Sequence, residues 1–214
     1  MSKIKLPHAS GNSMSIGAPA TNPASDLTLT LPATVGSSGQ VLSTDGSGNL
    51  SWVTLPTPGI TEMDQWRLTT NVALGAGGAD LTSNWERSDT AFSKIGTGMT
   101  ESSGIFTFPA TGIWQIFFNG TSQDTDKNRY AGVEIFYSTD SGSNYSALSE
   151  NWDSIHDSSS DTVYASFSSQ AILDVTDEDD FRVKFKVAGE SAMNISGSTS
   201  ANRTNVTFTR LGAT

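Results

Sequence analysis

The chain has 214 residues, no Cys and a formal net charge of −10 at pH 7. Without Cys it can hold neither disulfides nor thiolate metal sites. Its acidity argues against binding to nucleic-acid phosphates, which requires a basic face. No apolar run approaches the roughly 20 residues of a membrane span, so we expect neither nucleic-acid binding nor membrane insertion.

The composition changes abruptly near residue 60. Trp52 is the only aromatic residue before that point, whereas all ten Phe, all four Tyr and the other four Trp follow it. The four charged residues of the first part cancel, so residues 61–214 carry the whole net charge of −10. The first part has too little bulky apolar material to build its own core. We therefore predict an attachment segment joined to an independent globular head.

Residues 1–25 contain few large apolar side chains. A segment of this composition can become ordered by lying in a groove on a partner, where the contacts offset the cost of ordering. We therefore predict an extended segment that docks on another molecule. Its larger apolar residues are Ile4, Leu6, Met14 and Ile16.

Residues 26–60 show a strand pattern. Residues 27–32 alternate apolar and polar side chains and end at a proline, which predicts a strand. Further strands are predicted at 40–44 and 50–53, with a turn at 45–49 and an extended linker at 54–59. Such a module is marginal alone in water, so we expect it to share a core with other copies or to dock on a scaffold. The alternative is a flexible low-complexity tail, against which the patterned apolar residues and Trp52 argue.

The head shows short strand patterns separated by turn signals. Residues 112–118 are rich in β-branched and aromatic side chains, which predicts a central strand, and residues 181–187 alternate cleanly. No stretch has a sustained helical period, and about eight to ten short strands indicate an all-β sandwich or jelly roll. The other predicted strands lie at residues 66–72, around Trp85, and at 104–109, 131–138, 162–167, 171–175 and 205–211.

Patterns for catalysis and metal binding are weak. The two histidines, His8 and His156, lie far apart and fit no catalytic or ligand spacing. Asp124 and Asp126 could bind Ca²⁺, although we favour a solvated turn. For the acidic run at 177–180 we favour a charged hairpin tip over a cation site. We therefore predict a non-enzymatic protein without catalytic residues, metal or cofactor.

Four aromatic residues of the head are predicted in or beside polar loops. A ring supplies rigid apolar contact while polar neighbours satisfy hydroxyl groups, which suits binding to a receptor. Trp152, between Asn151 and Asp153, is the leading candidate, and packing of Trp152 across a subunit interface is the alternative. The receptor-contact candidates are Trp152, Tyr145, Tyr130 and Tyr164.

Three stretches of the first part resemble a short module of bacteriophage appendage proteins. They are TLTLP at residues 28–32, GQVL at 39–42 and DGSGNLSW at 45–52. The module is found in tail-fibre and other appendage proteins, especially of marine and cyanobacterial phages, near the attachment end or between shaft elements of trimers. The resemblance implies that residues 1–25 are a virion-anchoring segment and that residues 26–60 are a small β shaft or linker module. The apolar anchor residues are then Ile4, Leu6, Met14 and Ile16.

The head resembles C1q/TNF-like domains. GIFTFPATGIW at residues 104–114 is similar to the G-x-F-x-x-P-x-x-G-x-Y signature, with Trp114 at the usual aromatic position. Residues 172–185 resemble the acidic turn between two late strands of that family, and residues 207–212 resemble its closing strand. The resemblance implies a jelly-roll head over 61–214 that assembles as a tight homotrimer. A collagen-like stalk is missing and the phage-type module stands in its place, which argues against an animal immune or adipokine role.

Together the resemblances imply a non-enzymatic virion structural protein. It is expected to be a short trimeric phage fibre, attached by its N-terminus to portal, tail or capsid proteins, with its head directed to a host-surface glycan or protein. Such a protein is assembled in the host cytoplasm and exposed on the particle. One alternative is a capsid or tail decoration protein that stabilises the particle without binding a receptor. Another is a secreted bacterial C1q-like lectin, against which the lack of a secretory signal at residues 1–8 argues.

Overall fold

The computed structural model describes residues 3–7, 9–17, 19–21, 23–55, 59–124, 128–156 and 161–214. The chain divides into two compact units, the N-terminal unit (Met1–Pro58) and the head (Gly59–Thr214). All regular elements of the described residues are β-strands, which confirms the all-β prediction. Within the described ranges, no helix has the length and apolar character needed to cross a membrane.

The strands are named in chain order. In the described part of the N-terminal unit they are β1 (Lys3–Pro7), β2 (Ser13–Gly17), β3 (Gln40–Thr44) and β4 (Leu50–Thr54). In the described part of the head they are β5 (Met63–Leu68), β6 (Val72–Leu74), β7 (Ala79–Asp80), β8 (Trp85–Arg87), β9 (Lys94–Ile95), β10 (Thr100–Ser102), β11 (Ile105–Thr107), β12 (Gly112–Asp124), β13 (Tyr130–Ser138), β14 (Ser146–Ser154), β15 (Val163–Val175), β16 (Arg182–Gly189), β17 (Met193–Ile195) and β18 (Asn205–Gly212).

Strands β1 and β2 pair as an antiparallel hairpin, whereas the sequence predicts no strand before residue 27. The register places Ile4 opposite Ile16 and Leu6 opposite Met14. Opposite positions of an antiparallel pair lie on one face, as do alternate positions of one strand. The four predicted anchor positions therefore share one face of the hairpin.

Strands β3 and β4 form a second antiparallel hairpin, as the sequence predicts. Asp45 closes its turn: the carboxylate accepts hydrogen bonds from the Ser47 backbone N–H at 2.8 Å and from the Asn49 side-chain amide at 2.7 Å. These bonds, that from the Asn49 side chain foremost, lower the pKa of Asp45. The turn is thus specified by a local side-chain interaction, as is common for Asp and Asn.

The strand predicted at residues 27–32 is wrong. Only Thr30 forms a β-bridge, in which its N–H donates to the Gly48 carbonyl and its carbonyl accepts from the Leu50 N–H, both at 2.8 Å. Pro32 has no N–H with which to extend the ladder. The segment is therefore extended but joined to the second hairpin at one point.

Trp52 organises the neighbourhood of the second hairpin. Its indole N–H donates to the Thr34 carbonyl at 2.8 Å. Its ring lies against Gly36, where an added Cβ would come within 2.7 Å of the ring. Gly36 also has a φ of 73°, in the left-handed region that favours glycine. A side chain at Gly36 would therefore both clash with the indole and strain the backbone.

The head is a sandwich of two sheets. The larger sheet has the order β6-β17-β12-β18-β5-β8, with β15 also paired to β12 and β9 to β5. The smaller sheet has the order β10-β11-β16-β13-β14, with β7 also paired to β16. The chain passes repeatedly from one sheet to the other, because β12 and β15 belong to the larger sheet and β13, β14 and β16 to the smaller. This is a jelly-roll arrangement, and the predicted fold of the head is confirmed.

Two local predictions in the head need correction. Residues 146–154 form β14, an edge strand that is largely exposed on both faces. Its side chains therefore need not alternate, and no strand was predicted there. The acidic residues 177–180 carry the chain from β15 to β16. Because those strands lie in different sheets, this turn is not a hairpin tip.

Aromatic rings fill the space between the sheets. The ring centroid of Phe106 lies 5.4 Å from that of Trp85, 5.6 Å from that of Phe185 and 5.2 Å from that of Phe208. Edge-to-face and tilted pairs of this kind contribute about 0.5–1.5 kcal/mol each beyond the burial of area. Phe106 is fully buried and stands at the centre of this cluster.

A buried carboxylate braces the side of the larger sheet. Asp64 is fully buried and accepts hydrogen bonds from the Met99 backbone N–H at 2.8 Å and the Trp66 indole at 2.9 Å. Arg87 adds an ion pair to the same carboxylate at 3.0 Å. The loop before β10 and the strands β5 and β8 are thereby held to one carboxylate, which must remain paired because a buried lone charge is costly.

The two sheets meet along one side of the sandwich. There β14 of the smaller sheet lies beside β15 of the larger sheet without backbone pairing between them. The hydroxyl oxygens of Ser149 and Ser169 are 2.8 Å apart, and the Asn151 side-chain amide donates to the Ser168 carbonyl at 2.6 Å. We call this side-chain contact between β14 and β15 the seam.

Candidate functional site

Tyr130 and Trp152 form an exposed aromatic pair at the end of strands β13 and β14. Their ring centroids are 5.6 Å apart and their planes are nearly perpendicular, at 80°. Tyr130 is 41% exposed and Trp152 is 39% exposed. The structure therefore brings together two of the four predicted receptor-contact residues. Tyr130 is the first residue of β13 and Trp152 lies near the end of β14, so both residues are on strands, beside the chain segments that connect them.

Gly132 explains how the two rings meet. It lies directly opposite Trp152 in the β13–β14 register. A Cβ at Gly132 would come within 2.6 Å of Trp152 Cε3, so the indole occupies the space that a side chain would need. With Trp152 lying across β13, its ring reaches that of Tyr130. The sequence offered a signal for this in the glycine within an otherwise apolar strand pattern, since such a glycine often marks a close approach.

Polar contacts fix the surroundings of the aromatic pair. The Arg129 guanidinium donates to the Glu190 carboxylate, with Nε and Oε2 2.8 Å apart. This hydrogen bond lowers the pKa of Glu190. The Arg129 carbonyl accepts from the Ile155 N–H at 2.9 Å, which ties the chain that follows β14 to the start of β13. The pair thus presents two exposed rings next to charged groups, which is a surface suited to binding.

Tyr145 lies apart from the pair and is half-buried. Lys184 Nζ sits 4.4 Å from the centroid of its ring and forms an ion pair with Asp80 at 2.8 Å. Burial raises the pKa of Tyr145, and its hydroxyl has no hydrogen-bond partner within the described residues. It borders a small cavity of about 110 Å³. Tyr145 is therefore packed against the protein, and its placement does not favour receptor contact.

Tyr164 is exposed in a different sheet. It lies near the start of β15, opposite Gln123 of β12, and is 65% exposed. It therefore belongs to the outer face of the larger sheet, whereas Tyr130 and Trp152 belong to the smaller sheet. The four predicted aromatic residues do not form one surface.

The predicted anchor residues lie in the N-terminal unit. Ile4, Leu6 and Ile16 have exposed side chains on the β1–β2 hairpin. Met14 lies opposite Leu6 in the register. The structure therefore brings the four positions together on a hairpin rather than spreading them along a single extended segment.

Of the other polar residues considered from the sequence, the structure describes Asp124 and His156. Asp124 is buried at the end of β12, and the Asn128 side-chain amide lies 2.5 Å from its carboxylate, so the predicted solvated turn is wrong for this residue. His156 is exposed, and His8 and Asp126 lie outside the described residues. Within the described part of the chain, no three His, Asp or Glu side chains are placed to hold a metal ion.

Comparison with known proteins places the head in a fold class. No family model matches the chain, and no curated protein matches it. Eiger TNF from S. frugiperda is similar in structure, with 8% sequence identity and a TM-score of 0.52 over 73% of this chain and 96% of that chain. Murine APRIL, solved at pH 5.0, has 13% identity and a TM-score of 0.46 over 70% of this chain and 98% of that chain. The similarity to Eiger shows that the chain has a TNF-type jelly roll.

Proposed function

We propose that the chain is a trimeric appendage of a bacteriophage particle. In this proposal the N-terminal unit attaches to a portal, tail or capsid protein. The head is exposed on the particle and binds a glycan or protein of the host surface. The function is binding alone, and three identical heads add avidity to weak individual contacts.

The observation behind the proposal is that a TNF-type head with its own core is joined to a unit that leaves most of its large apolar side chains exposed. The hairpin residues Ile4, Leu6 and Ile16 are exposed together. Apolar side chains clustered on a short hairpin favour burial against a partner. The resemblance of residues 28–52 to modules of phage appendage proteins supports a virion protein as that partner.

The outer face of the larger sheet supports self-association of the head. Along β12 the even-numbered residues are buried and the odd-numbered residues are half-buried. Gln115 and Phe117 both lie on this outer face. Ile172 of β15 pairs with Gln115 and is 51% exposed. An apolar patch on a sheet face is a suitable contact between copies of the chain. Three copies meeting here would form the homotrimer that the C1q/TNF-like resemblance implies.

The mass of the purified chain tests the assembly. A trimer should show three times the chain mass of 22.6 kDa in light scattering. Replacing Ile172 by Asp should shift that mass toward the monomer, because a charge would be buried in the contact. A wild-type chain that remains a monomer at micromolar concentration would remove the trimer from the proposal.

Attachment is tested by altering the hairpin. Deleting residues 1–25 should leave a head with unchanged thermal unfolding that is no longer incorporated into particles. The finer variant, Ile4→Ser with Ile16→Ser, should reduce incorporation because it removes an exposed apolar pair. Val35→Ser is the matched control, since Val35 is also an exposed apolar residue of the same unit. Normal incorporation of the deletion variant would overturn the proposed anchor.

Receptor binding is tested at the aromatic pair. Trp152→Ala should reduce binding of the purified protein to host cells about tenfold or more, which is typical for loss of a tryptophan that anchors an interface. Ile95→Ala is the control, because Ile95 is 40% exposed, close to the 39% of Trp152. Particles that lack the protein, adsorb normally and are fragile would instead indicate a decoration protein that stabilises the particle.

A further inference from the structure

A polar pocket opens on the outer face of the larger sheet, away from the aromatic pair. Its volume is about 390 Å³, within the ~300–1,000 Å³ usual for small-molecule sites. Strands β12 and β15 form its base, and the chain that leads into β18 forms its wall. The lining residues that bear on ligand binding are Asn119, Thr121, Ser166, Ser168, Arg203 and Asn205.

Backbone and side-chain hydrogen bonds preform the wall of the pocket. The Thr121 hydroxyl donates to the Arg203 carbonyl at 3.2 Å, and the Thr121 N–H donates to the Thr204 hydroxyl at 3.2 Å. The Asn205 side-chain amide donates to the Asn202 carbonyl at 3.0 Å. A site that is already ordered loses less entropy when a ligand binds.

Several polar groups of the pocket are available to a ligand. The side chains of Asn119, Ser166 and Ser168 form no hydrogen bond within the described part of the chain, although each lies on a strand that borders the pocket. Amide and hydroxyl groups both donate and accept hydrogen bonds. Such a mixed set matches the hydroxyl groups of a sugar better than it matches an apolar ligand.

Arg203 gives the pocket a charge preference. Among the cations of the described head it alone has neither a carboxylate nor a carbonyl partner, since the others are held in ion pairs or donate to backbone carbonyls. A guanidinium binds a carboxylate through two parallel hydrogen bonds. The acidic head repels anions in general, so an unpaired arginine favours an acidic ligand at this point.

Tyr164 lies at the edge of this region. It is two residues from Ser166 on β15, and alternate residues of a strand share a face about 7 Å apart. Tyr164 is exposed and lies opposite Gln123. An exposed ring next to a polar pocket can pack against the apolar face of a sugar.

We infer that this pocket binds a sugar that bears a carboxylate, with Arg203 pairing the carboxylate and Asn119, Ser166 and Ser168 binding hydroxyl groups. The inference rests on the proposed function and names the chemistry of one receptor component. The pocket touches β12 at residues 119–121, whereas the proposed contact between subunits lies around Gln115 and Phe117 of the same strand.

Binding is tested with the full chain and three acidic sugars: glucuronic, galacturonic and N-acetylneuraminic acid. Each is compared by NMR or calorimetric titration with its methyl ester, which keeps the hydroxyl groups and removes the charge. At least one acid should bind at least about tenfold more tightly than its ester, as expected from one charge-assisted contact. Arg203→Gln should abolish that difference, and Tyr164→Ala should weaken the acid and the ester equally.

Lys94→Gln is the matched control, because it removes an exposed cation of β9 that lies outside the pocket and should leave the titration unchanged. No binding of any acid, equal binding of acid and ester, or unchanged binding by Arg203→Gln would overturn the inference. Cell binding that is lost in Trp152→Ala but kept in Arg203→Gln would overturn a role for the pocket in adsorption while leaving the proposed function standing. Sugar binding by the pocket without any binding to host cells would overturn the proposed receptor-binding function and leave the inferred sugar site standing.

Discussion

The N-terminal unit and the head use apolar residues in opposite ways. In the described part of the N-terminal unit no residue is buried, and Val35 is 93% exposed. In the head, Phe106 is fully buried between two sheets. The head is therefore stabilised by its own core, whereas the N-terminal unit has local hydrogen bonds and keeps most of its large apolar side chains exposed.

The largest loss of stability is expected when an aromatic ring is removed from the core of the head. Phe106→Ala removes the ring at the centre of the aromatic cluster and should lower the free energy of unfolding of the head by about 3–5 kcal/mol. Leu29→Ala in the N-terminal unit removes an exposed side chain. It should change the free energy of unfolding of the head by less than about 0.5 kcal/mol. Urea unfolding of the two variants measures both effects. Equal losses would mean that the units share one core.

A smaller loss is expected at the buried carboxylate of the head. Asp64→Asn should lower the free energy of unfolding by about 2–4 kcal/mol, because donors from Met99, Trp66 and Arg87 would then meet an amide. Glu190→Gln is the control: Glu190 is also paired with an arginine, Arg129, but the side chain of that arginine is 78% exposed. Exposed pairs contribute about 0–1 kcal/mol. Thermal unfolding distinguishes the two variants, and an unchanged Asp64→Asn melting temperature would contradict the role assigned to this carboxylate.

A local effect is expected at Trp52. Trp52→Ala should increase amide hydrogen exchange in β3 and β4, because it removes the hydrogen bond to Thr34 and the ring that lies against Gly36. We expect a loss of about 1–2 kcal/mol in local stability. Unfolding of the head should not change. Trp52→Phe separates the two contributions, since it keeps a ring and removes the indole N–H; a shifted head transition in either variant would show coupling between the units.

The smallest effect on stability is expected at a type of turn, closed by an Asp and an Asn, that occurs once in each unit. Asp140 accepts hydrogen bonds from the Asn144 side-chain amide at 2.7 Å and its N–H at 2.9 Å, as Asp45 does from Asn49. The Asn144 side chain, the Asn144 backbone and Ser138 lower the pKa of Asp140 from 3.8 to about 2. A lowered folded-state pKa stabilises the fold above the unfolded value, and this contribution is lost as pH falls through the folded value.

Asp140→Asn should therefore destabilise the head most above pH 3.8, and its difference from the wild type should shrink as pH falls toward about 2. Asp45→Asn should leave unfolding of the head unchanged at every pH, because Asp45 lies in the other unit. Thermal unfolding between pH 2 and pH 7 measures both. A pH-independent difference for Asp140→Asn would rule out the ionised carboxylate as the source of the stabilisation.

The sequence predicts most of the jelly roll because its central strands are amphipathic. Residues 112–118 and 181–187 carry patterns that the buried inner faces of β12 and β16 require. The edge strand β14 escapes prediction, since both of its faces are largely exposed. The β1–β2 hairpin was also missed, although its alternating residues flank a turn-forming Ser-Gly-Asn at residues 10–12.

The candidate site was predictable only in part. The polar neighbours of Trp152 mark it as a binding residue, but its partner does not follow from sequence spacing. Tyr130 meets Trp152 because Gly132 lies opposite the indole in the strand register. The pocket around Arg203 depends on three separated segments. Such long-range placement depends on sheet order, which a periodic pattern does not specify.

The seam between β14 and β15 affects how closely copies of the head can pack without aggregating. These are the two long edge strands of the described head, and the other outer strands, β6, β7, β8, β9 and β10, have two or three residues each. An exposed long edge offers unpaired backbone groups to strands of neighbouring molecules and promotes aggregation. Here each long edge is covered by the other through Ser149, Ser169 and Asn151. Many copies of the head can therefore be held close together with little risk that one sheet will continue into the next.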